Sequence, residues 1–183
     1  MNNQVKKISL AGVLAAMSAI LYMFPTFPVL PAFPWLEIDF ADVPALFAAV
    51  TLNPILGGII VLIRNTIHLV VSSTGMVGEL SNFIISSLFV VTVGFAAKGF
   101  GKAKAVPGMK RLVISAVVGI VVQNIVAVLC NRFIMIPMYG IKGDPMTYIL
   151  AGVVPFNAVK TVVSCCMFIV LYKTLVPKIK KLL

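Results

Sequence analysis

Apolar runs of about 20 residues recur along this chain, and each has the length of a helix that crosses a hydrocarbon core of roughly 30 Å. Ile8 to Phe24, Leu112 to Ile136 and Tyr148 to Tyr172 are the clearest. An ordinary water-soluble domain is excluded, because 61% of the 183 residues are apolar and the 11% that are charged are too few to coat a globule. The sequence therefore predicts an integral membrane protein of the all-α class, inserted in the cell membrane.

The charges set its topology. There are 15 Lys+Arg against 5 Asp+Glu, a net charge of +10. In a soluble chain this excess would raise the question of nucleic acid. Here eleven cations sit in three short blocks: Lys6 and Lys7; Lys98, Lys102, Lys104, Lys110 and Arg111; Lys173, Lys178, Lys180 and Lys181. The positive-inside rule makes all three cytoplasmic. Both termini then lie inside and the number of crossings is even. Six spans are expected, over about 8–24, 41–52, 55–72, 79–97, 112–136 and 148–172, in one bundle that is the whole of 1–183. Asn53-Pro54 marks an inner turn and Ser72 to Gly75 an outer one. The second span is short, and is expected to tilt or to begin earlier, near Ile38. The first is read as a span and not a cleaved signal, since its apolar run continues through Phe24.

Little in the chain suggests catalysis. The five carboxylates, Glu37, Asp39, Asp42, Glu79 and Asp144, all map to outer ends of helices or to the outer side, with no acid/base dyad on one intramembrane face. His68, the only histidine, reads as a buried hydrogen-bonded side chain more readily than as a base. Cys130, Cys165 and Cys166 lie in apolar runs without metal-site or disulfide spacing and read as packing residues. No phosphate loop or dinucleotide fingerprint occurs. The expectation is a protein that is not an enzyme, with no cofactor or metal, and with any ATP used by another polypeptide.

The informative residues are polar ones inside apolar helices, where a central charge costs about 2.5 to 3.5 kcal/mol on insertion scales. Glu79, Asn82, Phe83 and Ser86 share one face of the fourth span. Asn124 and Asn131 are seven residues apart on the fifth, next to Arg132, and Asn157, Lys160, Thr161 and Ser164 repeat the spacing on the sixth. Three stripes can converge on a cavity open to the outside, with Lys160 at its floor and Pro155 widening the last helix near Asn157. For Ser86, Asn124, Thr161 and Ser164, hydrogen bonding between helices is the plainer reading. For Glu79, Asn131, Asn157 and Lys160, binding is the stronger one.

Two further features stand out. Pro25, Pro28, Pro31 and Pro34 recur at the period of a polyproline II helix in an outer loop, Phe24 to Phe40, that also holds Phe27, Phe33, Trp35 and Phe40. These aromatics fit a headgroup belt and a lid over a flat ligand equally well. On the first span Ala11, Ala15 and Ala19, broadened by Gly12 and Ala16, form a small-residue ridge that suits close packing within the bundle or against a partner.

Taken together, the run Glu37-Ile38-Asp39-Phe40-Ala41-Asp42-Val43-Pro44, the Asn53-Pro54 turn, Ile63-Arg64-Asn65, Gly78-Glu79-Leu80-Ser81-Asn82-Phe83 and Pro155-Phe156-Asn157-Ala158-Val159-Lys160 resemble the substrate-binding S components of energy-coupling factor (ECF) vitamin transporters, above all the riboflavin-specific ones. The resemblance covers nearly the whole chain. It implies a six-helix subunit with an outward vitamin site built from the first outer loop, where Trp35, Asp39 and Phe40 lie, and from helices four to six, where Glu79, Asn82, Asn131, Asn157 and Lys160 lie. It also implies a transmembrane coupling subunit, contacted through Ala11, Ala15 and Ala19, and two ATP-hydrolysing subunits. Riboflavin fits the residue types: amides match a ring edge of alternating donors and acceptors, Lys160 donates to ring-edge oxygens, and aromatics cover the ring. A phosphorylated flavin would need more cations, for which Arg64 and Arg132 are candidates. The alternatives are an S component for folate or thiamine, a small intramembrane enzyme using Glu79 or His68, and a structural membrane protein without a ligand.

Overall fold

A computed structural model of the chain describes residues 3–33, 36–72, 75–99, 107–141 and 143–179. They form the expected all-α bundle of six helices. Helix α1 (Asn3–Met23) is followed by a short antiparallel ribbon, β1 (Phe27–Pro28) and β2 (Glu37–Ile38), and then by α2 (Asp42–Thr51), α3 (Pro54–His68) and α4 (Gly75–Lys98). Helix α5 runs Met109–Cys130, passes through a π-helical turn at Asn131–Met135 and ends in Ile136–Tyr139. Helix α6 opens with Pro145–Tyr148, passes through a second π turn at Ile149–Val153 and continues as Val154–Ile179. The helical segments containing α1, α4, α5 and α6 are long and apolar enough to cross a membrane, whereas α2 and α3 are shorter.

Helix α2 explains the arrangement. Its ten residues span about 15 Å at 1.5 Å per residue, half of a hydrocarbon core. All of Asp42 to Val50 is buried, as expected for a helix that is apolar on every side. The segment before it is extended ribbon at Glu37–Ile38, so α2 does not begin earlier than Asp42 as the span length had suggested. At its other end the chain turns into α3 at Asn53, whose side chain caps the new helix by accepting from Ile55 N at 2.8 Å, with Pro54 in the first turn.

Small residues let the neighbours reach α2. A methyl group added at Gly57 of α3 would lie 2.6 Å from Ala49 Cβ and 2.9 Å from the Ala45 carbonyl. One added at Gly94 of α4 would lie 3.0 Å from Ala49 Cβ. The core grows from this contact, with Leu46, Val61, Phe89, Val93, Leu112 and Phe168 all buried within it.

Helix α1 packs on α2 and α3, and its alanine ridge takes part in that packing. Ala15 and Ala19 are buried inside the bundle and Ala11 is half-buried, while Gly12 and Ala16 are the small residues left on the outer face. The inner face is held by Ser18 Oγ, which donates to the Ala41 carbonyl at 2.7 Å.

The outer loop also departs from expectation. It is a ribbon folded back on itself, Phe27 facing Ile38 and Pro28 facing Glu37, and not one polyproline rod. Pro31 sits in the turn, where Phe33 N donates to Leu30 O at 2.8 Å. Trp35 lies outside the described residues.

At the opposite end of the bundle Lys98 Nζ donates to the Leu52 carbonyl at 2.5 Å, and Tyr172 Oη to the Pro107 carbonyl at 2.7 Å. The ends of α2 and α4 thus meet, α6 is tied to the residue just before α5, and the described cations of the second and third blocks lie on these ends of α4, α5 and α6. Lys102, Lys104, Lys142, Lys180 and Lys181 lie outside the described residues.

Candidate functional site

A cavity of about 520 Å³ opens at the end where α1, α3 and α5 finish and α4 and α6 begin, with the ribbon alongside. Its size falls within the range of small-molecule sites. Of the residues singled out from sequence, Asp39, Glu79, Asn82, Asn131, Asn157 and Lys160 line it.

Asn131 and Asn157 belong to one wall. Asn131 Nδ2 donates to the Ala127 carbonyl and Asn157 Nδ2 to the Val153 carbonyl, each at 2.8 Å. One N–H of each amide is used on its own helix, which fixes the rotamer and leaves a second N–H and a carbonyl for a ligand. Both amides stand beside the π turns: Asn131 opens the first, and Val153 closes the second. Pro155 has no N–H to return to Ala151, so the regular helix cannot continue through this level. A π turn widens a helix and re-aims the side chains beside it.

The second wall is an ion pair. Lys160 Nζ lies 2.7 Å from Asp39 Oδ2, and both groups are buried. The other oxygen of Asp39 accepts from Ala41 N at 2.9 Å. One carboxylate therefore joins the ribbon, the start of α2 and the middle of α6. Lys160 also lies 5.9 Å from the Phe156 ring centre, which belongs to the lining.

The third wall is a chain of hydrogen bonds around Glu79. His68 Nδ1 is 2.8 Å from Glu79 Oε1, and Tyr22 Oη donates to Oε2 at 3.2 Å. Asn82 Nδ2 donates to Tyr22 Oη, and Ser86 Oγ to Asn82 Oδ1 at 2.9 Å. The Tyr22 ring packs on the His68 ring with centroids 4.2 Å apart.

Arg64 is not available to a ligand. Its Nη2 is 2.6 Å from Asp42 Oδ1, neither side chain has any exposure, and the guanidinium lies 5.3 Å from the Tyr22 ring centre. Burying one such charge alone would be prohibitive, so Arg64 and Asp42 need each other. Arg132 is exposed and also lies outside the lining.

Several expectations about side-chain placement change. Phe40 is not part of the lining: it stands at the bend into α2, where its carbonyl accepts from Val43 N at 3.1 Å. Among the described residues the aromatic faces are supplied by Tyr22, Tyr139, Tyr148 and Phe156. Asn124 donates to the Ile120 carbonyl of its own helix, and Gln123 takes its place in the wall. Tyr22 carried no sequence signal, being a single polar group at the end of an apolar span.

At the start of α6 the exposed Asp144 accepts from the Thr147 hydroxyl at 2.7 Å and from the Thr147 and Met146 amides at 2.8 and 3.3 Å. The Thr147 hydroxyl first, then these amides, hold its carboxyl below the usual carboxylate range.

The family model described as "ECF transporter, substrate-specific component" matches residues 6–172. The Riboflavin transporter RibU of Staphylococcus aureus (strain TCH60) is 30% identical over 186 residues, covering 98% of this chain and 95% of the relative. The Riboflavin transporter FmnP of Bacillus subtilis (strain 168) is 29% identical, covering 97% and 96%. A solved structure described as "Structure and mechanism of the S component of a bacterial ECF transporter" superposes with a TM-score of 0.81 at 32% identity, covering 97% of this chain and 99% of that one.

Proposed function

The chain belongs to the substrate-specific components of ECF transporters, and on that footing we propose that it captures riboflavin outside the cell membrane and passes it inward. The observation that carries this reading is the composition of the cavity wall. Two amides held on their helices, a buried lysine, the acceptor-rich cluster at Glu79 and aromatic side chains line one cavity. The ring edge of riboflavin alternates donors and acceptors, which suits Asn131, Asn157 and Lys160. The flat ring suits Phe156 and the tyrosines.

The orientation follows from charge. The cation blocks gather at the end of the bundle away from the cavity, so the positive-inside rule puts the cavity mouth outside and both termini inside. All of 1–183 acts as one binding unit of six helices. A coupling subunit in the membrane and two ATP-hydrolysing subunits supply the work. The surface of α1 offered to the coupling subunit is the outer face with Gly12 and Ala16.

The experiment is purification in detergent from cells grown in flavin-rich medium. The expected result is a protein carrying a flavin absorption spectrum at about one ligand per chain, which quenches the fluorescence of added riboflavin. A colourless protein that leaves riboflavin fluorescence unchanged overturns the reading.

A further inference from the structure

Resting on the cavity as a ligand site, we propose that Tyr22 and His68 are positioning residues of that site. They hold the Glu79 carboxylate as an oriented acceptor for ligand hydroxyl groups.

The donor directions can be followed along the chain of bonds. Ser86 donates to Asn82 Oδ1, so Asn82 has its Nδ2 for Tyr22 Oη. An oxygen that accepts from this amide spends its own proton on Glu79 Oε2, 3.2 Å away. An ionised carboxylate only accepts, so the 2.8 Å contact at Oε1 requires the proton on His68 Nδ1. Each oxygen of Glu79 is then engaged once and keeps acceptor capacity. Glu79 lines the cavity, so that capacity faces the ligand and calls for hydroxyl or N–H donors.

The two orienting groups come from different helices. Tyr22 is on α1, His68 on α3 and Glu79 on α4, so three helices converge on one carboxylate. Tyr22 is itself packed against α3, its ring centre 4.2 Å from the His68 ring and 5.3 Å from the Arg64 guanidinium. A glutamate side chain left free would lose rotamer entropy on binding; here that loss is already taken in folding.

The test is riboflavin titration, read by fluorescence quenching, with a thermal melt of each ligand-free protein. Tyr22→Phe and His68→Ala should each weaken binding about tenfold, because Glu79 loses one orienting donor. His68→Asn keeps an N–H donor near the Nδ1 position and should recover most of the loss seen in His68→Ala. Wild-type affinity in His68→Ala overturns the proposal, as does a His68→Asn variant that melts like the wild type and binds no more tightly than His68→Ala, whether or not Tyr22→Phe folds. So does a set of variants that alter melting alone. Absence of riboflavin binding by the wild type is a different failure, that of the site itself.

Discussion

Asp39 and Lys160 stand 121 residues apart in the chain and meet at 2.7 Å inside the bundle. The carboxylate also holds the start of α2 through Ala41 N, so removing either partner leaves one buried charge and loosens the ribbon. Asp39→Asn and Lys160→Met are each expected to lower stability by about 3 to 5 kcal/mol. The double variant should lose clearly less than the sum, since it buries no lone charge. Denaturant unfolding in detergent measures all three, and strict additivity would show that the pair is not coupled.

Asn131 and Asn157 are expected to behave differently. Each uses one N–H on its own helix and carries no charge, so replacement by alanine should change apo stability by only about 1 kcal/mol. Riboflavin affinity should fall about tenfold for each. Titration calorimetry reads both effects, and unchanged affinity in the pair of variants would remove the amides from the binding wall.

Charge selects against a phosphorylated ligand. Among the described residues the cavity lining holds Glu37, Asp39 and Glu79 against Lys160, and Lys160 is already paired. Arg64, which from sequence could have met a phosphate, is enclosed with Asp42. Flavin mononucleotide is therefore expected to bind at least about tenfold more weakly than riboflavin, a penalty of about 1.4 kcal/mol or more. Competition titration against riboflavin checks this, and equal affinity would contradict it.

Gly57 tests the packing around α2. A single methyl there would lie 2.6 Å from Ala49 Cβ and 2.9 Å from backbone at Ala45, so neither neighbour can yield cheaply. Gly57→Ala is expected to cost about 1 to 3 kcal/mol in spite of the better helix propensity of alanine. Gly12→Ala, which has open space around it, should be neutral or slightly stabilising. Thermal melts of the two variants give the comparison.

Much of this molecule is legible in its sequence, and the rest follows a pattern. The apolar runs mark the helices, and the i, i+3, i+7 stripe of Glu79, Asn82 and Ser86 marks a cavity wall, because both signals are local. Lys160 declares itself by being a charge in mid-helix. Its partner does not, since nothing local connects Asp39 to α6. Asn124 aligns with Asn131 at seven-residue spacing, yet its amide is spent on the Ile120 carbonyl of its own helix and Gln123 lines the cavity, a choice that local spacing does not reveal. The alanine ridge on α1 is ambiguous for a different reason: small residues mark close packing without saying what is packed, and within the bundle α2 and α3 both lie against α1. Tyr22 and His68 are significant only through Glu79, a meeting of three helices.

The completely enclosed α2 also bears on how the protein enters its bilayer. A ten-residue segment that starts with Asp42 is too short to be recognised as a span while it emerges from the ribosome. Its insertion must await α3, whose Arg64 brings the counter-charge for Asp42, so the two helices go in as one hairpin. A nascent chain ending at Thr51 is expected to leave α2 outside the bilayer, and one extended past α4 to carry it in, a difference that glycosylation mapping of stalled chains would read.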